Sequence, residues 1–386
     1  MVVALALPAL AAAMARRPHY GGTLRVEIGA AVSSLEPSEN PGTPEEIAVR
    51  NQIDALIYES RDADGEFSGA QGSGPFRISD WQPGKELALT ANEKFSGGRP
   101  YVDGIEITMN RAARDRLLDL ELNKTDFAEI AAQDARHAAE RGVRVSTSQP
   151  DELVALIFAR GARYKTTQPL REAVSDSIDR SAIANFILQK TGEPATGLLP
   201  QWSSGTEFLF ASPATPAEGI SRAKELLGQI TAIPKLVLGY DSADPLAQAI
   251  AERIAVNAKE AGIAISTLGL PAGGVSRAAE LAQIDAVVER LRMSSAKPAD
   301  ALNGFLESAA AITDVESAPL AAKASAQDVL DRERGVMKTY WIVPLEWIPQ
   351  VYGLSARVRD WNAPGPGETW PFADVWLEPT TPGAAQ

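Results

Sequence analysis

The stretch Lys235–Ile265 constrains this chain more than any other. Lys235–Tyr240 (KLVLGY) reads as a strand. Asp244-Pro245 then opens a helix: an Asp at the N-cap can accept the free N–H groups of the first turn, and Pro is pre-set for the first helical position. Leu246, Ile250 and Ile254 fall on one helical face, as the 3.6-residue period requires. Gly262 supplies the left-handed residue at which a helix stops, and Ile263-Ala264-Ile265 begins a second strand. Strand, helix and strand in that order imply parallel pairing, because parallel neighbours need a crossover of this length. The chain therefore contains an α/β layer.

Other segments extend this picture. Thr23–Ile28 alternates apolar and polar residues after a Gly-Gly turn. Pro75–Ile78, Leu87–Thr90 and Gly104–Met109 are strand-like, and their connections are rich in Gly, Pro, Asn and Asp, such as Gln82-Pro83-Gly84-Lys85. Leu153–Phe158 reads as a buried strand. Pro169 opens a helix with Leu170, Ala173, Val174 and Ile178 at helical spacing, and Asp179-Arg180-Ser181 interrupts it and offers a cap for Ile183–Leu188. Tyr340–Leu345 and Gln350–Val358 are predicted as two further strands that suit a return crossing.

Composition narrows the function. A chain of 386 residues suggests two or three compact units. With 37 Lys+Arg against 50 Asp+Glu the net charge is −13, which disfavours nucleic acid as a partner because phosphate backbones need a basic face. Cysteine is absent, which removes disulfides, thiolate metal sites, cysteine nucleophiles and a lipidated cysteine. His19 and His137 are the only histidines, too few for a multi-histidine zinc centre. No G-x-S-x-G, H-E-x-x-H, Walker-type or C-x-x-C motif occurs. Gly72-Ser73-Gly74 reads as a turn rather than a dinucleotide loop. Asp62-Ala63-Asp64-Gly65 lacks the further ligands of a calcium loop and reads as a tight turn. We expect no cofactor, no metal and no enzyme activity.

Met1–Ala15 (MVVALALPALAAAMA) is an uncharged run ending in small residues before Arg16-Arg17. It resembles the hydrophobic region and cleavage end of a secretory signal. Trp341, Trp347, Trp361, Trp370 and Trp376 crowd the end of the chain, so that segment is expected to be packed into a core. Trp202, in the polar loop Pro200–Gly205, is the aromatic residue best placed to be a binding wall.

Gly72–Ile107, GSGPFRISDWQPGKELALTANEKFSGGRPYVDGIEI, resembles the signature of peptide/nickel-type (family 5) solute-binding proteins of bacterial ABC importers: a G-T-G-P-Y/F turn, a W-x-P-G-x-x-L hairpin and an N-x-x-Y-x-G-G-x-P-Y-x-D-G block. Tyr20–Pro37, Pro169–Pro200 and Lys235–Ile265 resemble three more blocks in the family order. The resemblance implies an α/β two-lobed periplasmic-binding-protein type II fold with crossing strands between the lobes. With residues 1–15 read as signal peptide, it implies 16–150 as lobe I completed by 338–386, and 151–337 as lobe II. The expected activity is capture of a peptide or similar small solute in the inter-lobe cleft and delivery to an ABC permease in the inner membrane. The expected protein is a periplasmic monomer without a lipid anchor.

Two departures from the pattern stand out. Family members carry a long segment between a D-x-D-G turn and the G-T-G-P strand, whereas here Asp64-Gly65 is followed almost at once by Gly72. The extra domain that segment builds is expected to be missing. Peptide binders of the family also hold the ligand ammonium with an Asp in a W-x-x-D-Y-like segment. The corresponding stretch, Val287–Pro298, has no Trp and no Asp before Asp300. Ser294 falls nearest the expected anchor, flanked by Met293 and by Arg292, which would prefer an anionic group. Trp202, Arg292, Met293, Ser294 and Asp300 are therefore the candidate ligand-binding residues. The alternative is a family remnant without a transport role, acting as an interaction or scaffold protein.

Overall fold

The computed structural model describes residues 17–379 apart from 36–43, 59, 62–66, 69–71, 161–165, 211–214, 272–280, 317 and 322. The expected signal peptide and the Asp62–Gly65 turn lie outside the described residues.

The first half supplies β1 (Thr23–Glu27), β2 (Phe76–Gln82), β3 (Glu86–Ala91), β4 (Gly104–Thr108), β5 (Phe127–Ile130) and β6 (Arg144–Phe158). The second supplies β7 (Leu236–Asp241), β8 (Ile265–Leu270), β9 (Ala286–Arg292) and β10 (Ile342–Leu354). The principal helices are α1 (Pro44–Ile57), α2 (Ala113–Glu121), α3 (Ala135–Glu140) and α4 (Gln168–Ser177), then α5 (Pro216–Leu227), α6 (Pro245–Ala261), α7 (Pro298–Ala310) and α8 (Ala326–Met337). The strands form one 11-stranded sheet in the order β8-β7-β9-β6-β10-β5-β1-β4-β3-β2, with the short strand Glu193–Pro194 also pairing with β10.

The βαβ unit forms as its sequence dictates. Leu236 pairs with Ile265 in parallel register. The Asp244 carboxylate accepts from the N–H groups of Leu246 and Ala247 at 2.9 and 3.2 Å. Gly262 sits at φ 99°, where a Cβ would be strained, and the Ile263 N–H turns back to the Ala258 carbonyl at 2.9 Å. The Gln82–Lys85 turn likewise closes the β2–β3 hairpin, Gln82 pairing with Glu86.

Two long strands tie the molecule together. β6 has 15 residues and β10 has 13, lengths of about 40–50 Å at roughly 3.3 Å per residue. They pair with each other in antiparallel register along their course. At one end β6 pairs with β9, from Ala286↔Phe158 to Arg292↔Glu152. At the other, β10 pairs with β5, from Val351↔Ile130 to Leu354↔Phe127. Each long strand thus belongs to both halves of the sheet. At the midpoint Pro349 faces Pro150, and β10 shifts register on either side of Pro349 and again at Pro344. Proline cannot donate to a ladder, so it is accommodated where the ladder is already irregular.

This differs from the sequence expectation in extent. Leu153–Phe158 is only the buried half of β6, whose first half is largely solvent-facing. The two strands expected at Tyr340–Leu345 and Gln350–Val358 are mainly one strand, Ile342–Leu354, followed by the short strand Val358–Arg359.

Three clusters make the core. One joins Leu24, Val26, Ile53 and Phe76 to Trp361, Trp370 and Phe372 of the C-terminal segment. At its centre the Phe127 ring lies 4.7–5.6 Å from the rings of Trp361, Phe372, Tyr352 and Trp370. Trp347, Trp361, Trp370 and Trp376 are therefore buried, as their crowding suggested, while Trp341 is half-buried against the second cluster. A second cluster runs from Ala128 and Ile130 through Val154 and Leu156 to helices α4 and α6. The third packs Leu153, Ile157 and Trp347 against Leu302 and Phe305 of α7.

Candidate functional site

The pairing registers decide where a site can be. β9 ends opposite Glu152, so its carboxyl end aims at the middle of β6. β5 ends opposite Val351, so its carboxyl end aims at the middle of β10 from the other half. β7 is parallel to β9, and β1 is parallel to β5. Carboxyl ends of parallel strands are where α/β folds place ligands, because loops diverge there and leave a crevice. Both halves point that end at the same part of the crossing strands, around Pro150 and Pro349.

Charged side chains converge on this point. Arg290 of β9 donates to both oxygens of Glu152 at 2.5 and 3.0 Å, and to Asp244 at the start of α6 at 3.2 Å. Gln350 of β10 donates to Glu152 at 3.1 Å. Ser148 accepts from the Gln350 backbone N–H at 2.9 Å, and the Met293 N–H donates to the Asp151 carbonyl at 2.8 Å. Both oxygens of Glu152 are thus engaged, and each nitrogen of Arg290 has a carboxylate partner. Arg292 differs: it is solvent-exposed, and among the described residues it makes no hydrogen bond and no ion pair. Its charge is nevertheless felt by Glu152, Glu129, Asp151 and Tyr352, which come from three different strands.

The electrostatics follow from this layout. Burial pushes the Asp151 carboxyl up to about 6, with neighbouring Glu152 adding to the rise and Arg292 opposing it. Glu152 is as deeply placed and burial works against its charge, but Arg290 and Arg292 outweigh this and hold it below the usual carboxylate range. Arg290 is raised, chiefly by Glu152. Arg292 reaches solvent, yet the protein crowded around it works against its charge; Glu152, Glu129 and Asp151 outweigh this and raise its pKa. Burial drives the Tyr352 hydroxyl well above its ordinary value.

Of the sequence-derived candidates, Arg292, Trp202 and Ser294 lie at or beside this centre. The Trp202 indole N–H donates to the Pro150 carbonyl at 2.8 Å, over the midpoint of β6. Ser203 donates to the Ala296 carbonyl at 3.3 Å, joining the Trp202 turn to the β9–α7 connection. Ser294 is exposed in that connection, and Asp300 is half-buried in the first turn of α7. Met293 is buried in the third cluster and offers no surface to a ligand. Two acidic residues set the Trp202 loop. Glu333 accepts from the N–H groups of Leu198 and Leu199 at 2.6 and 3.0 Å. Glu207 accepts from those of Thr196 and Gln201 at 3.0 and 2.9 Å.

Sequence reasoning missed Asp151, Glu152, Arg290, Gln350 and Glu129. A signal was present: Asp151-Glu152 opens an otherwise apolar strand, and Arg290 and Arg292 alternate, which puts both on one face of β9. The arginines of the Pro169–Pro200 block proved structural. Arg171 donates to the Thr339 and Thr166 carbonyls and lies over the Trp341 ring at 3.9 Å. Arg180 donates to the Pro344 carbonyl at 2.9 Å. His137 is exposed on α3, with its ring 3.7 Å from Glu121. Among the described residues no group of acidic and histidine side chains could hold a metal ion, and no helix is long and apolar enough to cross a membrane.

Comparison with known proteins agrees with this architecture. Residues 25–312 match the model of the bacterial extracellular solute-binding proteins, family 5 Middle. The chain is 26% identical over 177 residues to the probable D,D-dipeptide-binding periplasmic protein DdpA of Escherichia coli K12, covering 45% of this chain and 34% of that protein. The match thus spans about a third of that relative's length. The ABC transporter substrate binding protein CtaP of Listeria monocytogenes has a similar structure, with a TM-score of 0.75 at 14% identity, covering 93% of this chain and 99% of that one. DppA of Helicobacter pylori in complex with the peptide STSA gives 0.71 at 14% identity, covering 94% and 99%. These likenesses show the fold, the two-lobed α/β architecture of periplasmic binding proteins with crossing strands.

Proposed function

The chain belongs to the bacterial extracellular solute-binding proteins of family 5, and from that premise we propose that it is the ligand-capturing component of an ABC importer. It takes a short peptide or similar small solute between its two lobes in the periplasm and delivers it to a membrane permease. Lobe I is residues 16–150 completed by 338–386, and lobe II is residues 151–337. The two lobes close over the ligand by bending at β6 and β10. The observation that carries this reading is the convergence of strand ends from both halves on one part of the crossing strands, where solvent-reached charges gather. The midpoint of β6 and β10, where two prolines face each other and the register slips, is the natural place for the bend.

Thermal shift against peptide and metabolite libraries tests the proposal, since a ligand stabilises the folded state by mass action. Native mass spectrometry of protein purified from its host identifies what it carries. A short peptide raising the melting temperature in a concentration-dependent way is the expected result. A response to non-peptide solutes alone would overturn the peptide assignment. No response from any class would overturn the binding role.

A further inference from the structure

Two arginines stand two residues apart on β9 and are used differently. Arg290 spends its donors on Glu152 and Asp244. Arg292, the last residue of the strand, spends none on a described residue and is open to solvent. A guanidinium carries five N–H donors in a planar fork whose geometry matches a carboxylate. The nearby acidic groups, Glu152 and Asp151 of β6 and Glu129 of β5, favour its charged form without forming an ion pair to it. Arg292 is therefore charged, solvent-accessible and unspent, at the point where both halves aim their strand ends.

We propose that Arg292 is the anion-holding group of this cleft, and that the solute the protein selects presents a carboxylate to it. This deepens the binding role given above and rests on it. The segment after β9 offers the hydroxyl of Ser294 and no carboxylate before Asp300. The positive group in the site is thus supplied by the protein, and the negative group by the ligand. Glu129, Asp151 and Glu152 oppose a second negative charge, so a ligand with one carboxylate beside a neutral or cationic group fits better than a dianion.

Isothermal titration with a pool of free-acid tripeptides and the same pool as C-terminal amides tests this directly. The wild-type protein should bind the amides about 10–100-fold more weakly, the range expected for a charge-assisted pair. Arg292→Gln should weaken the acids to the level of the amides and leave the amides unchanged, whereas Arg292→Lys should recover part of the difference. Arg292 is exposed, so unchanged melting temperatures of the ligand-free variants will confirm that they fold. Equal binding of acids and amides by the wild type would overturn the role of Arg292 while leaving peptide binding intact. If neither pool binds, lactate and succinate are tested against their amides. Carboxylates that bind and are lost in Arg292→Gln would uphold the inference and remove the peptide assignment. No binding by any carboxylate would overturn the inference.

Discussion

The crossing strands carry two regions that bring arginine and glutamate together, and the regions behave in opposite ways. Behind β10, Arg180 is buried and turns its donors to the Pro344 carbonyl, the Ser175 carbonyl and the Ser175 hydroxyl. Its acidic neighbour Glu346 is fully buried, and neither carboxylate oxygen has a hydrogen-bond partner among the described residues. Burial pushes that carboxyl up to about 9, against the pull of Arg180. At the strand midpoint, Glu152 is held by Arg290 and Gln350 and stays ionised, while Arg292 faces solvent with its donors open. The same residue types therefore make a structural post in one place and leave an open, solvent-facing charge in the other. Solvent access and spent donors, not residue identity, separate the two.

Removing the post should produce the largest effect. Arg180→Ala leaves the Pro344 and Ser175 acceptors without their donor, and a destabilisation of about 3–5 kcal/mol is expected, read from urea unfolding. Arg292→Gln should change stability by no more than about 0.5 kcal/mol, as for an exposed position. Equal losses would erase the contrast between the regions.

The next effect depends on pH. Glu346 has a folded-state pKa raised from 4.5 to about 9. Its protonated form is the one the fold favours, so its contribution is fully present below the unfolded value and is lost as pH rises through about 9. Glu346→Gln should therefore gain on the order of 1–3 kcal/mol over wild type at pH 9 and little at pH 5, measured as the difference in melting temperature between the two pH values. A variant that tracks wild type at both would show that Glu346 is not buried as a neutral acid.

A smaller effect is expected where the halves touch. Gly367 lies at φ 77°, and a Cβ there would sit 2.7 Å from the Ser294 carbonyl oxygen. Gly367→Ala should cost about 1–2 kcal/mol from the left-handed backbone alone. Small-angle scattering should also report a slightly larger radius, because the C-terminal segment is pushed off the β9–α7 connection. An unchanged radius would mean that the contact yields locally.

The smallest effect sharpens the midpoint. Asp151 is raised to about 6, so it gains its proton as pH falls from 7.5 to 5.5, while Glu152 and Arg290 stay charged. Losing one negative charge beside Arg292 should tighten free-acid peptides a few-fold, on the order of 2–5, over that interval. Asp151→Asn should flatten the dependence in isothermal titration. A wild-type affinity independent of pH would remove Asp151 from the site.

Some of this was legible in the chain and some was not. The βαβ unit was, because Asp244, Pro245 and Gly262 act on their immediate neighbours and the helix face repeats within a few turns. The full lengths of β6 and β10 were not. Polar alternation in residues 144–150 and the prolines at 150, 344 and 349 look like strand ends until a partner strand supplies the irregular register that tolerates them. Arg292 and Ser294 stand out in the sequence because their stretch departs from the family pattern, lacking its Trp and its Asp. Met293 lies in the same stretch, but its side chain is buried in the cluster that also holds Leu302 and Phe305.

By itself, then, the sequence determined what short-range rules control: the caps, the periodicities, the turn residues, the family blocks and the lack of cysteine. Only the tertiary structure decided that Glu152 meets Arg290 across 138 positions of sequence, that Glu129 and Tyr352 approach from the other half, and that Arg292 is left unspent. Capping and amphipathicity act over a few residues and are written locally. Whether a charge is neutralised or left free depends on which distant strand the register brings beside it.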